Sequence, residues 1–190
     1  MDDEINENLL VAVIESRLLT VKSLSRRGAN PNFVDDNGLA ALHHAVKKKD
    51  LDIVKVLLEG GADPNTTMLY QKHSVGTALH IAVRNGDLDM VKELLWYGAD
   101  PNALDRSGET PLFEAIRSGY WEIIQELLDS GVNLYIARTV GGTALFCALY
   151  NRKVSIVKIL QDYTPSLRIL SLRSIRRHRI NVTKIPGELF

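Results

Sequence analysis

Five histidines, one cysteine and 23 carboxylates are the residues of this 190-residue chain that could do chemistry. Clustered, such groups hold zinc, activate water or pair a nucleophile with a base. Here they do not cluster. His43 and His80 stand 37 positions apart and Cys147 is alone, so none of the short ligand spacings of a tetrahedral metal site is present. His73 and His178 are isolated. Gly60-Gly61 and Gly141-Gly142 lie outside any strand–glycine loop–helix context that would cradle a phosphate, and read as caps and turns. The expectation is a protein without enzymatic activity, metal, cofactor or small-molecule substrate. Cys147, beside Ala148 on a helical stretch, reads as a core thiol rather than a reactive one.

The elements that position these residues recur at a fixed interval. Gly28-Ala29, Gly61-Ala62, Gly98-Ala99 and Gly131-Val132 are spaced 33, 37 and 33 residues apart. Leu9, Leu42, Leu79, Leu112 and Leu145 repeat the same ruler, which puts a four-residue insertion between Gly61 and Leu79. A period of this length marks stacked units, none of which can bury its apolar face alone. Each unit holds two short helical patterns. In the second, Ala41, Leu42, Ala45 and Val46 form one stripe, and Leu51, Ile53, Val54, Leu57 and Leu58 form the next. Val21/Leu24, Val91/Leu94/Leu95, Ile124/Leu127/Leu128 and Val157/Leu160 repeat the second stripe, and Gly60-Gly61 supplies a left-handed helix end. Ala12, Ala45, Ala82, Ala115 and Ala148 hold the middle of each first helix, where anything larger than a methyl would keep neighbouring pairs apart. Polar turns such as Asn32–Gly38 and Asn102–Gly108 join the pairs, and Thr110-Pro111 has the cap-then-proline form of a helix start.

Thr77-Ala78-Leu79-His80-Ile81-Ala82 and Thr110-Pro111-Leu112-Phe113-Glu114-Ala115 resemble the ankyrin-repeat signature T-P-L-H-x-A with its 33-residue period. The resemblance covers residues 5–163, in copies at about 5–36, 37–73, 74–106, 107–139 and 140–163. It implies an all-α solenoid of about five helix–turn–helix repeats with short β-turn or hairpin loops. It also implies that His43 and His80, in the histidine slot, hydrogen-bond between adjacent repeats. The first copy lacks the turn and the Thr-Pro, the second has Ala40-Ala41 in place of Thr-Pro, and Phe113 and Phe146 replace the histidine of the last two.

Composition is that of one globular domain, 45% hydrophobic. A lone cysteine fits a reducing compartment, no apolar run is long enough for a membrane span, and the acidic Met1-Asp2-Asp3-Glu4 start is unlike a signal peptide. A cytoplasmic location is expected, the nucleus being compatible too. Net charge is zero but uneven: residues 165–190 carry six arginines and lysines against Glu188 alone, which leaves the repeats acidic by five.

Pro165 stops the last repeat helix, and Ser166 can cap a new one bearing Leu167, Leu170, Ser171 and Ile175 on a narrow stripe. A helix there can simply cap the solenoid. Arg176-Arg177-His178-Arg179, without interleaved aromatics, is weak evidence for nucleic acid or nuclear import. The segment 165–190 also resembles a SOCS box. Ser166-Leu167, Ser171 and Ile175 follow its BC-box pattern of small residue, Leu, three residues, Cys, three residues, aliphatic. Ile175-Arg176-Arg177-His178 is similar to a stretch common in ankyrin-repeat SOCS-box proteins, and Ile185-Pro186-Gly187-Glu188-Leu189 is similar to a degraded cullin box. This resemblance implies a substrate-recognition subunit of an Elongin B/C–cullin ubiquitin ligase. Leu167, Leu170, Ser171 and Ile175 would dock on Elongin C, while Ile185, Pro186 and Leu189 would face the cullin. A stand-alone scaffold or inhibitor is the alternative.

The family resemblance places partner binding on turn tips and first helices. By position, the candidates are Asp36, Asn37, Leu39, Lys47 and Lys48, then His73, Ser74, Arg84 and Asn85. Arg106, Ser107, Glu109, Arg117 and Ser118 follow, then Thr139, Val140, Tyr150 and Asn151. Met68, Leu69 and Tyr70 stand in the lengthened turn, where apolar residues are enriched in contact sites. Trp96 and Trp121 read as partial core or groove residues.

Overall fold

The computed structural model describes residues 2–67, 76–137 and 142–163. Among them are ten helices in five pairs: α1 (Asp2–Ile14) with α2 (Leu18–Arg26), α3 (Ala41–Lys47) with α4 (Leu51–Glu59), α5 (Ala78–Arg84) with α6 (Leu88–Trp96), α7 (Pro111–Ser118) with α8 (Trp121–Asp129), and α9 (Ala144–Tyr150) with α10 (Val154–Tyr163). Each helix is too short to persist alone in water, so packing between pairs must supply the stability. The first helices α1, α3, α5, α7 and α9 form one continuous column, each against the next. The second helices touch one another less closely, which bends the stack toward the first-helix side. The all-α solenoid expected from the repeat pattern is therefore what the chain adopts.

The mid-helix alanines explain the close column: Ala45, Ala82, Ala115 and Ala148 are fully buried, and Ala12 nearly so. Leu9, Leu42, Leu79, Leu112 and Leu145 are buried one turn before them, and the second-helix stripes close the core from the other side. Asp50 caps α4 by accepting from Ile53 N at 3.2 Å, and Asp87 caps α6 through Met90 N at 3.1 Å. Thr110 precedes Pro111 as the sequence suggests, yet its side chain makes no capping hydrogen bond; it is buried in the turn instead.

A second tie runs along the turns. Asn32 donates to Gly61 O at 3.1 Å and accepts from Asp63 N at 2.8 Å. Asn65 does the same one repeat on, with Gly98 O at 2.9 Å and Asp100 N at 2.7 Å, and Asn102 accepts from Asn133 N at 2.6 Å. The Asn32 and Asn65 amides thus each close two backbone groups of the next turn, and Gly61 and Gly98 take their φ of +89° and +86° without the steric cost a Cβ would bring.

Residues 164–190 lie outside the described residues, and with them Leu167, Leu170, Ser171, Ile175, Ile185, Pro186 and Leu189. So do Met68, Leu69, Tyr70, His73 and Ser74 of the lengthened turn, and Thr139 and Val140.

Candidate functional site

Equivalent positions of successive first helices line up across the inner face of the stack. Ile14, Lys47, Arg84 and Tyr150 are the last residues of α1, α3, α5 and α9, and Arg117 stands next to last in α7. All five are exposed. One turn earlier comes a second row, Val11, His44, Ile81, Glu114 and Cys147, of which Ile81 and Cys147 are buried. The face is polar and cationic at its centre and apolar at both ends, where Ile14 is 41% and Tyr150 69% exposed. Tyr150 is held in place by stacking on Phe146, with ring centroids 6.3 Å apart.

Several candidates stand where a partner can reach them. Asp36, Asn37, Lys47, Lys48, Arg84, Arg106, Ser107, Ser118 and Asn151 are exposed on turns or first-helix ends. Others already have structural tasks. The Arg117 guanidinium donates to Glu109 at 3.0 Å and to Glu114. Burial alone would lower its pKa, but these carboxylates outweigh it and hold the group above its ordinary value. Asn85 donates to Val46 O at 3.3 Å, and its own carbonyl accepts from Lys49 Nζ at 3.4 Å, so it ties α5 to the preceding pair.

Leu39 is a correction. Offered as an outward residue, it is 8% exposed and belongs to the core. Asp35 explains the geometry: its carboxylate accepts from Asn37 N at 2.8 Å and Leu39 N at 2.9 Å, while Asp35 N donates to Leu39 O at 3.0 Å. That tight turn folds Leu39 inward and leaves Val34, paired with Ala40 in an isolated bridge, 43% exposed. The equivalent turn closes Asp105 on Glu109 in the same way.

The tryptophans are a second correction. Trp96 is 85% exposed and Trp121 54% exposed, so neither belongs to the core. They occupy the outer ends of α6 and α8, at positions where other repeats carry Glu59 and Leu88 respectively. A helical period marks a core face, but it does not tell a terminal aromatic that covers a neighbour from one left in solvent.

The two buried histidines behave as structural bridges. His43 Nε2 donates to Thr66 O at 3.0 Å and Nδ1 accepts from Ala40 N at 3.3 Å. His80 Nε2 donates to Glu109 O at 3.1 Å and Nδ1 accepts from Thr77 N at 3.2 Å. Burial lowers both pKa values despite the backbone carbonyls that favour the charged form, so the neutral ring serves as donor and acceptor at once. His44, outside the repeat's histidine slot, pairs with Asp35 at 2.9 Å beside the inner face. Burial raises the Asp35 carboxyl, but its bonds to Leu39, His44 and Asn37 win and hold it below the usual carboxylate value. Its spacing of nine from Asp35 follows no helical or strand rule, which is why the pair was not legible. Among the described residues no group of three His, Cys, Asp or Glu side chains is placed to hold a metal ion, and no helix is long and apolar enough to cross a membrane.

A family model described as ankyrin repeats (three copies) matches residues 2–68 and 79–169, and another described as ankyrin repeats (many copies) matches residues 42–95. Curated relatives match over shorter stretches. An ankyrin repeat protein of Acanthamoeba polyphaga mimivirus is 44% identical over 24% of this chain and 11% of its own length. The transient receptor potential cation channel subfamily A member 1 of Homo sapiens is 46% identical over 31% of this chain and 5% of its own. An ankyrin repeat protein of fowlpox virus is 32% identical over 34% of this chain and 9% of its own. The matched segments thus span only small parts of those proteins.

Proposed function

The chain belongs to the ankyrin-repeat family, whose repeats are protein–protein interaction modules, and we propose that it is the substrate-recognition subunit of an Elongin B/C–cullin SOCS-box ubiquitin ligase. The repeats would hold a target protein on the first-helix face. The segment 165–190 would couple that target to the ligase, Leu167, Leu170, Ser171 and Ile175 entering Elongin C and Ile185, Pro186 and Leu189 approaching the cullin. The observation that carries this reading is the order of the sequence: the BC-box-like pattern starts at Ser166, three residues after α10 ends at Tyr163. Catalysis then belongs to recruited enzymes, and this chain contributes proximity between target and transferring centre. Ser171 stands where the family has cysteine, and burying its hydroxyl without a partner costs about 1–3 kcal/mol, so Elongin C binding of modest strength is expected.

Co-expression with Elongin B and C tests the reading. The expected outcome is a complex that survives size exclusion with the wild-type chain and is lost with Leu167→Asp, while the melting temperature of the repeats stays the same. Absence of a complex at micromolar concentration overturns it and selects a stand-alone ankyrin scaffold or inhibitor whose last helix only caps the stack.

A further inference from the structure

The exposed row at the ends of the first helices has a pattern that a partner can match: Ile14, then Lys47, Arg84 and Arg117 in three consecutive repeats, then Tyr150. Further cationic charge follows the row in the sequence: Lys48 and Lys49 lie in the loop after α3, and Arg152 and Lys153 in the loop after α9. Among the described residues, exposed carboxylates lie on the second helices (Asp52, Glu59, Asp89, Glu122, Asp129 and Asp162), on turns (Asp36, Asp63 and Asp100) and on or beside α1 (Asp3, Glu4, Glu7 and Glu15), but none stands on α3, α5, α7 or α9. A body that is acidic overall therefore presents a basic edge across α3, α5 and α7. Within the row the charges are not equal. Arg117 shares its guanidinium with Glu109 and Glu114, whereas Lys47 and Arg84 have no carboxylate partner among the described residues.

Adjacent packed helices lie about 8–10 Å apart, and a chain in the polyproline II conformation advances about 3.1 Å per residue with three residues per turn, so every third side chain shares a face. A peptide crossing the first helices would therefore meet a new repeat at about every third residue. We propose that the target is recognised through an acidic segment in the polyproline II conformation lying across this row. Its carboxylates recur at every third position opposite Lys47, Arg84 and Arg117, and an apolar residue at each end meets Ile14 and Tyr150. Complementary charge fixes the register and speeds encounter, and the apolar ends add desolvated contact. The inference rests on the reading that the first-helix face holds the target, but not on the coupling to Elongin C.

The 190-residue chain is titrated by fluorescence anisotropy with a labelled peptide of about thirteen residues, the span of five repeats at the advance given above. It carries glutamate at every third position through its centre, leucine at both ends and serine or glycine elsewhere. A second peptide has the same composition with its three glutamates adjacent. The spaced peptide is expected to bind about tenfold more tightly at low salt, and to lose that advantage with Lys47→Glu or Arg84→Glu. Arg117→Glu is expected to matter less, because Glu109 and Glu114 already neutralise that position. The substituted side chains are exposed, and an unchanged melt shows that each variant is folded. Equal affinity for the two peptides, or an advantage untouched by Lys47→Glu and Arg84→Glu, overturns the proposal. So does displacement of the peptide by a single-stranded oligonucleotide at lower concentration, which would make the edge a nucleic-acid surface. These arms contain no Elongin, so their failure leaves the complex with Elongin B/C standing or falling on its own.

Discussion

Two imidazoles, 1% and 3% exposed, tie a first helix to a following turn only while they are neutral, His43 within its own copy and His80 across to the next. A protonated ring has no acceptor to offer Ala40 N or Thr77 N, and its charge is buried with no carboxylate hydrogen-bonded to it among the described residues. Because burial lowers the folded pKa of His43 and His80 from 6.5, the unfolded chain binds protons first as pH falls. The stability they contribute is complete above the unfolded value and declines as pH drops through the window below it, by up to about 1.4 kcal/mol per pH unit for each ring. Asp35, lowered from 3.8, acts in a separate and more acidic window. Urea unfolding between about pH 7.5 and pH 5 should therefore show a midpoint that falls on acidification in the wild type and much less in the His43→Gln/His80→Gln variant. A midpoint independent of pH over that interval contradicts the bridging role. The repeat signature made the His80 bond to the next repeat legible, whereas the bond of His43 ends at Thr66, inside its own copy. The Leu39 and Trp96 orientations were not legible. One depends on a carboxylate folding a turn back on itself and the other on how far a neighbouring helix reaches, and neither leaves a period in the sequence.

At the level of the helix pair, the short loop between first and second helices requires a left-handed residue in every repeat. Ser16, Lys49, Gly86, Gly119 and Arg152 occupy that position, with φ of 56°, 60°, 67°, 82° and 57°. Only Gly86 and Gly119 take it without steric cost; the other three hold a side chain in a region that disfavours one. Gly86 has a further reason to be glycine, because a Cβ there would stand 2.9 Å from the Tyr120 ring. Arg152→Gly relieves the backbone while removing an exposed side chain, and should raise stability by about 0.5–1 kcal/mol, seen as a higher melting temperature. A lower melting temperature would show that Arg152 makes contacts outweighing the relief. The existence and order of the helix pairs were readable because apolar stripes, mid-helix alanines and terminal glycines all repeat in one register. The unequal loop residues show the limit: backbone geometry is shared across repeats even where the residue type best suited to it is not.

For the whole molecule, the consequence of stacking is that coupling between pairs is local, so stability resembles a sum over repeats and nearest-neighbour interfaces. The interface between the α3/α4 and α5/α6 pairs is held by the alanine column, by the Asn85 tie and by Asn65, whose amide satisfies Gly98 O and Asp100 N together. Asn65→Ala removes two bonds that fix one turn on the next, and should cost about 1–3 kcal/mol, counting the backbone groups left unpaired. The tryptophans make the location of that loss measurable. Trp96 lies in α6 and Trp121 in α8, both on the C-terminal side of the weakened junction, whereas far-UV circular dichroism reports every helix. In the wild type, fluorescence and dichroism should follow one urea transition. In the variant, helices of the first two pairs lose the support of the rest and should melt earlier, so the dichroism midpoint moves to lower urea than the fluorescence midpoint. Coincident transitions in the variant, shifted together, would mean that the five pairs unfold as one cooperative body and that the turn ladder carries no separable share of the coupling.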